Sequence, residues 1–237
     1  MEAREEYSPP LRRFVIGDIH GHYNEMMDLF GKVGFDYERD LLISLGDLVD
    51  RGPDPLKVIG SLTKIRRFIH VLGNHDDWCL QYLMTGIKGE DWISQGGEST
   101  IKAYEEYPEK KPEHLAFFRK ALLYFIDNGN RLFVHGGFNP QVPFHLQKDN
   151  KDLLVWDRSL ILTVLDNKQL NKVFGEFSEI FVGHTPTLFA GKTSPIHIGN
   201  IWMLDTGIYL SGRLTLMDID TKEYWQSPRA KNYFSGF

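Results

Sequence analysis

Five short stretches of this chain carry side chains able to bind a metal or move a proton, and each follows an apolar run. Phe14-Val15-Ile16-Gly17 leads to Asp18, with His20 two residues on, and Ile43-Ser44-Leu45-Gly46 leads to Asp47, with Asp50 and Arg51 behind it. His70-Val71-Leu72-Gly73 leads to Asn74 and His75, and Ile180-Phe181-Val182-Gly183 leads to His184. Arg131-Leu132-Phe133-Val134 delivers His135 directly, with Gly136 and Gly137 behind it. Carboxylate, carboxamide and imidazole donors with no thiolate among them suit a two-metal hydrolase. Taken singly the signals are weaker. Asp18 could be a helix N-cap beside a chance His20, Asn74 could occupy an ordinary left-handed turn, and a lone histidine after a strand is more often structural. Two acids and an arginine crowded between Gly46 and Gly52 are harder to read as a solvated charge run.

Apolar runs of this length read as buried strands, and a glycine at a strand end permits a sharp turn or close backbone approach. The five runs are therefore expected to present Asp, Asp, Asn, His and His along one sheet edge to one cleft. Between them the periodicity predicts a helix over Tyr23–Val33, with Met26, Met27, Phe30 and Val33 on one face. A second helix is expected from about Pro55 to Arg66, with proline in its first turn, and a third over Asp76–Met84. With strands at 13–16, 41–45 and 68–72 the first half reads βαβαβ, the pattern of a mostly parallel sheet that places ligands at its strand C-termini. Residues 86–128 read as loop and helix, punctuated by Trp92, Gly96-Gly97, Pro108 and Pro112. The rest is β-rich: 131–134, 180–183, 201–205, 213–219, and a hairpin through Asp218–Lys222 into Glu223–Gln226. Residues 1–10 are expected to be a flexible tail and 11–237 a single α/β domain.

The bulk numbers fit that reading. A chain of 237 residues, 42% hydrophobic and 25% charged, can bury a substantial core. The net charge of −5 weighs against nucleic acid or a membrane surface as partner, while leaving room for an anionic substrate at a local cluster of cations. Cys79 is the single cysteine, which excludes an internal disulfide, and it is expected to be a helix core thiol. The N-terminal residues have no signal-peptide pattern and no run approaches a membrane span, so the expected location is the cytoplasm.

In this order, Gly-Asp-x-His-Gly from Gly17, Gly-Asp-x-Val-Asp-Arg-Gly from Gly46, Gly-Asn-His from Gly73, His-Gly-Gly from His135 and Gly-His-Thr-Pro from Gly183 resemble the calcineurin-like metallophosphoesterase superfamily. Specifically they resemble bacterial members of its phosphoprotein phosphatase family, with the likeness continuing through Leu204-Asp205-Thr206-Gly207. The resemblance implies a central β-sandwich of mixed sheets flanked by helices. It implies one divalent ion held by Asp18, His20 and Asp47, and a second held by the bridging Asp47 with Asn74, His135 and His184. The expected metal is manganese, with iron, zinc or magnesium as alternatives. A water bridging the ions is the implied nucleophile, His75 the proton donor to the leaving alkoxide, and Asp50 the carboxylate that orients it. Arg51 and Arg158, the latter in Trp156-Asp157-Arg158, are the implied phosphate clamps.

Two positions depart from the pattern. Many relatives carry arginine immediately before Gly-Asn-His, where this chain has Leu72, and glutamate after the histidine, where it has Asp76. Val-Leu-Gly-Asn-His-Asp resembles the dinucleoside tetraphosphate hydrolases instead. The expected function is a protein serine/threonine phosphatase acting on a phosphorylated protein, peptide or other phosphoester. Hydrolysis of diadenosine tetraphosphate is the alternative within the superfamily, and a metal-stabilised binding scaffold the alternative outside catalysis. Of the other histidines, His22 could touch the ligand shell, while His70, His114, His145 and His197 are expected to be structural or at the surface.

Overall fold

The computed structural model describes residues 11–167 and 173–231; the tail expected at 1–10 lies outside the described residues. Two five-stranded sheets face each other. The first has the order β10-β9-β1-β2-β3, built from β1 (Arg13–Ile16), β2 (Leu41–Ser44), β3 (Arg67–His70), β9 (Thr215–Asp218) and β10 (Tyr224–Gln226). The second has the order β4-β5-β6-β8-β7, from β4 (Tyr124–Ile126), β5 (Arg131–Val134), β6 (Glu179–Val182), β7 (Ile196–Ile198) and β8 (Ile201–Met203). Strands β1, β2 and β3 run parallel, as do β5, β6 and β8, and antiparallel strands complete each sheet.

Strand alternation divides the apolar side chains between three layers. Val15, Ile43, Phe133, Phe181 and Met217 point inward and form the layer between the sheets, where the Phe133 and Phe181 rings stack at 4.8 Å. Their neighbours Phe14, Ile16 and Leu42 face outward onto helices α1 (Tyr23–Val33), α2 (Pro55–Leu62) and α3 (Asn74–Thr85). Leu132, Val134, Ile180 and Val182 face the opposite way, onto Phe138, Phe144 and Leu160. Both faces of β1, β2, β5 and β6 are buried, which is why these strands read as continuous apolar runs.

Helix α1 forms where the periodicity places it, although Leu29 is buried with Met26 and Phe30 while Met27 and Val33 are only partly covered. Helix α2 stops four residues before the expected Arg66, because the Arg66 amide is drawn to the Tyr37 carbonyl at 2.9 Å as the chain turns toward β3. Helix α3 begins two residues earlier than expected: the Asp76 carboxylate accepts the Gly73 N–H at 3.2 Å and caps the first turn. Cys79 is buried in α3, as expected.

The expectation of one sheet edge requires correction. Asp18, Asp47 and Asn74 follow β1, β2 and β3 of the first sheet, whereas His135 and His184 follow β5 and β6 of the second. A parallel ladder leaves all its strand C-termini at one end, so two facing ladders bring five loops to a common rim.

Candidate metal centre and active site

The loops at that rim are short and stiffly held. Ile19 and His20 both donate their amides to the Asp47 carbonyl, at 3.0 and 2.9 Å, so the first and second motifs are tied backbone to backbone. The Gly183 amide reaches the His135 carbonyl at 3.1 Å and ties the fourth to the fifth. The third motif is stapled to the second by Asp76, fully buried, which accepts Leu48 N–H at 2.8 Å, Gly73 N–H at 3.2 Å and His70 Nε2–H at 2.9 Å. Gly73 allows a close approach, since a Cβ there would meet the Asp47 carboxylate oxygen at 2.2 Å. His20, Asp47, Asp50, Arg51 and His184 all have positive φ, between 45° and 72°. Such backbone costs about 1–3 kcal/mol per residue and persists only where surroundings enforce it.

Asp47 occupies the middle. Its Oδ2 lies 3.6 Å from His20 Nε2 and its Oδ1 3.4 Å from His135 Nε2, while Oδ1 also accepts the His75 amide at 2.9 Å. Two groups of donor atoms each fall within 4.8 Å of one another: His20, Asp47 and His75, and Asp47, His135 and His184. Asn74 Oδ1 lies 3.0 Å from His135 Nε2. Asp18 stands beside them, its carboxylate accepting the His184 amide at 3.1 Å.

Burial sets the charge states. It lowers the imidazoles of His20, His135 and His184 below their ordinary range, with Arg51 adding to the effect at His20, and His135 and Arg158 at His184. Burial alone would raise Asp47, but the imidazoles of His135, His75, His20 and His184 hold it below the usual carboxylate range. Asp18 is pushed well up by burial and by the carboxylates of Asp205 and Asp47, and burial lifts Asp205 to about 7. Neutral imidazoles around a crowd of buried carboxylates form a ligand set that a cation would relieve.

Residues 11–208 match the calcineurin-like phosphoesterase family. The chain is a calcineurin-like phosphoesterase. It is similar to the asymmetrical bis(5'-nucleosyl)-tetraphosphatase PrpE of Anoxybacillus flavithermus, 28% identical over 92% of this chain and 95% of that one. It is also similar to serine/threonine-protein phosphatase 1 of Salmonella typhimurium, 27% identical over 87% of this chain and 91% of that one. Among solved structures, a serine/threonine phosphatase of Saccharomyces cerevisiae shares the fold, with a TM-score of 0.62 at 16% identity, over 96% of this chain and 82% of that one.

Calcineurin-like phosphoesterases are metal-dependent phosphatases with a dinuclear divalent centre, and the donor set of this phosphoesterase fits such a pair. His20 Nδ1 lies 2.9 Å from the Val49 carbonyl and His135 Nδ1 2.7 Å from that of Leu45. Donating those protons leaves each Nε2 as a lone pair facing Asp47. His184 is held the other way round, Nε2 against the Trp156 carbonyl at 2.9 Å, which leaves Nδ1 free to ligate. Backbone acceptors that select the tautomer are the usual support of ligating histidines.

The remaining sequence-predicted residues are brought to the same rim. His75 Nδ1 meets Asp50 Oδ2 at 2.6 Å, and both side chains are buried. The Arg51 fork lies across two imidazoles, Nη1 at His20 Nε2 and Nη2 at His75 Nε2, the latter at 2.8 Å. Arg158 is exposed and donates to the His184 carbonyl at 3.4 Å, while the neighbouring Asp157 accepts from Ser159. Leu72 is 6% exposed and takes no part in the cluster. His22 lies against the first motif, its Nδ1 2.7 Å from the His20 carbonyl. Buried His70 serves Asp76, His114 pairs with Tyr104 at 2.9 Å, and His197 stacks on Trp202. No helix among the described residues is long and apolar enough to cross a membrane.

Four contributors were given no role by the motifs. Asp205 follows β8 just as Asp18 follows β1, and a sixth apolar run, Ile201-Trp202-Met203-Leu204, was the available signal. Tyr209 packs edge-on to His20 at 5.1 Å and under Arg51 at 3.8 Å, with burial raising its hydroxyl to about 12. Trp92 and Thr100 donate to Asp50, at 2.6 and 2.5 Å.

Proposed function

We propose that this phosphoesterase hydrolyses phosphoserine and phosphothreonine esters in proteins or peptides. Asp18, His20 and Asp47 would hold one divalent ion, and Asp47, Asn74, His135 and His184 the other, with manganese as the metal. Bound there, the ions supply Lewis acidity to water and to the phosphate oxygens. The observation that carries the reading is the juxtaposition of His75, backed by Asp50 at 2.6 Å, with the Arg51 guanidinium at 2.8 Å from its outer nitrogen. A phosphate gripped by Arg51 thereby leaves its ester oxygen within reach of His75 Nε2. Asp50 fixes the ring with Nδ1 as donor and stabilises the imidazolium that gives a proton to the departing alkoxide.

Substrate size follows from the cations. Arg51 and Arg158 match one dianionic phosphate, whereas Lys151, on the adjoining helix, is spent on Asp77 at 2.6 Å. A polyphosphate chain calls for more positive charge than that. The second reading, hydrolysis of a dinucleoside tetraphosphate, is favoured by Leu72 in place of arginine. It is favoured too by the partly exposed rings of Trp78 and Trp156, 4.7 Å apart beside His75 and His184, which could stack on a base.

The test measures kcat/KM on phosphoserine and phosphothreonine peptides and on diadenosine tetraphosphate, with manganese throughout and a chelated control. The peptides are expected to win and chelation to abolish turnover. A dinucleotide preference above about tenfold, worth about 1.4 kcal/mol in the transition state, would select the second reading. Full activity after chelation, with metal content verified, would remove both.

A further inference from the structure

The buried Asp50 carboxylate accepts from more than His75. Oδ2 takes the Trp92 indole N–H at 2.6 Å and Oδ1 takes the Thr100 hydroxyl at 2.5 Å, while the Thr100 oxygen accepts the Asp50 amide at 3.0 Å. Trp92 is 1% exposed and Thr100 wholly buried. Both come from one irregular helical stretch: Glu90–Trp92, a π-turn over Ile93–Gly97, then Glu98–Glu106. That stretch also grips the next residue of the motif. The Gly96 carbonyl accepts the Arg51 amide at 3.0 Å, and the Gln95 carbonyl accepts Arg51 Nε–H at 3.2 Å. Gly96 has φ +106°, and a Cβ there would meet Arg51 Cγ at 2.6 Å, so the kink and the close approach both depend on glycine.

We propose that the kinked stretch Trp92–Thr100 is the positioning element of the reaction, with Trp92 and Thr100 acting through Asp50 to aim His75 at the leaving oxygen and the Gln95 and Gly96 carbonyls aiming Arg51 at the phosphate. This rests on His75 being the proton donor. The physical reason is the number of donors on one carboxylate. With His75 alone, Asp50 could rotate about its side-chain bonds and the imidazole would tilt with it. With an indole N–H on one oxygen and a hydroxyl on the other, a single rotamer satisfies all three groups. Neither helper touches substrate, so both are positioning residues. Trp92 is suited because its N–H donates and cannot accept, and Thr100 because its hydroxyl closes a ring on the Asp50 backbone.

The test compares Trp92→Phe, Thr100→Val and Thr100→Ser, all loaded with manganese, on phenyl phosphate and on 2,4-dinitrophenyl phosphate. Loose aim of a proton donor is expected to cost roughly 10–100-fold in kcat on phenyl phosphate, whose leaving group needs protonation, with KM and metal content unchanged. On the dinitrophenyl ester the loss should stay below about threefold, since a phenolate of low basicity leaves without a proton. Thr100→Ser keeps the hydroxyl and should restore the parent rate. Equal losses on both esters, loss of metal, or no recovery in Thr100→Ser would reduce the stretch to packing and overturn the inference. If Trp92→Phe does not fold, the Thr100 pair carries the same comparison. His75→Asn is run alongside: if it discriminates between the esters and retains metal while Thr100→Val does not discriminate, the inference fails alone. If His75→Asn shows no discrimination or loses metal, the reading of His75 fails and the inference with it.

Discussion

Asp76 is the residue whose replacement should reveal most about how the rim is held. It is fully buried and accepts three hydrogen bonds, from Leu48 N–H, Gly73 N–H and His70 Nε2. Asp76→Ala leaves all three donors unpaired; deleting one member of a buried charged network costs about 3–5 kcal/mol, less than the sum of its bonds taken singly. Asp76→Asn is milder for a reason visible in the structure. His70 Nδ1 is buried with no hydrogen-bond partner among the described residues, so the ring can carry its proton there and accept the new carboxamide N–H at Nε2. The asparagine oxygen can keep Leu48, the His70 Nδ1 stays unpaired as it is in the parent, and the Gly73 amide is newly stranded, a loss of about 1–3 kcal/mol. At roughly 2–4 °C per kcal/mol for a chain of this size, the alanine variant should melt roughly 6–20 °C below the parent and the asparagine variant by about half as much. Thermal unfolding followed by circular dichroism, with metal removed from all samples, gives the comparison. Equal losses in the two variants would refute the tautomer argument, and an alanine variant melting with the parent would refute the staple itself.

Gly73→Ala forces a methyl group against the Asp47 carboxylate, 2.2 Å from its oxygen, so metal content and turnover should fall together; elemental analysis showing full occupancy would contradict this. Arg158→Ala should raise KM for a phosphomonoester several-fold with metal retained, because the guanidinium hydrogen-bonds to the rim at the His184 carbonyl; a charge-assisted contact of this kind contributes about 1.5–3 kcal/mol when fully engaged and less at an exposed site. Unchanged kinetics would leave Arg158 as a surface residue. Asp47→Asn removes the one carboxylate common to both donor groups and should lower metal content and rate in parallel, whereas retention of metal would show that the groups are independent.

The five motifs were legible because each combines a covalent signature, an acid or imidazole after glycine, with an apolar run that marks its strand. The βαβαβ order followed from the same runs, and β1 and α1 lie where the periodicity puts them. Strands β4 and β7, three residues each, are too short for alternation to register, and the Ile196–Ile198 strand carries an exposed His197 at its centre. That two sheets supply the rim could not be read from the motifs, because strand-end chemistry looks alike in either sheet. Trp92 was legible only as punctuation before Gly96-Gly97. Its link to Asp50 spans 42 residues and exists only once the kinked helix has packed. The positive φ angles at His20, Asp47, Asp50, Arg51 and His184 had no compositional mark of their own, since none of these residues is glycine.

The division of the rim between two sheets has a consequence for the order in which the protein comes into being. Asp18 and the His184 amide that it accepts are 166 residues apart, and the imidazole of His135 reaches the Leu45 carbonyl across 90. On a ribosome, the first three loops emerge and can pack around α1, α2 and α3 well before β5 and β6 exist. A nascent chain at that stage carries half a cluster: carboxylates and imidazoles with no opposing pair to close around a cation. Hydrolytic power therefore arises late and all at once, when the second sheet docks on Val15, Ile43 and Leu45. The enzyme is in this sense self-timed, competent only as a finished sandwich.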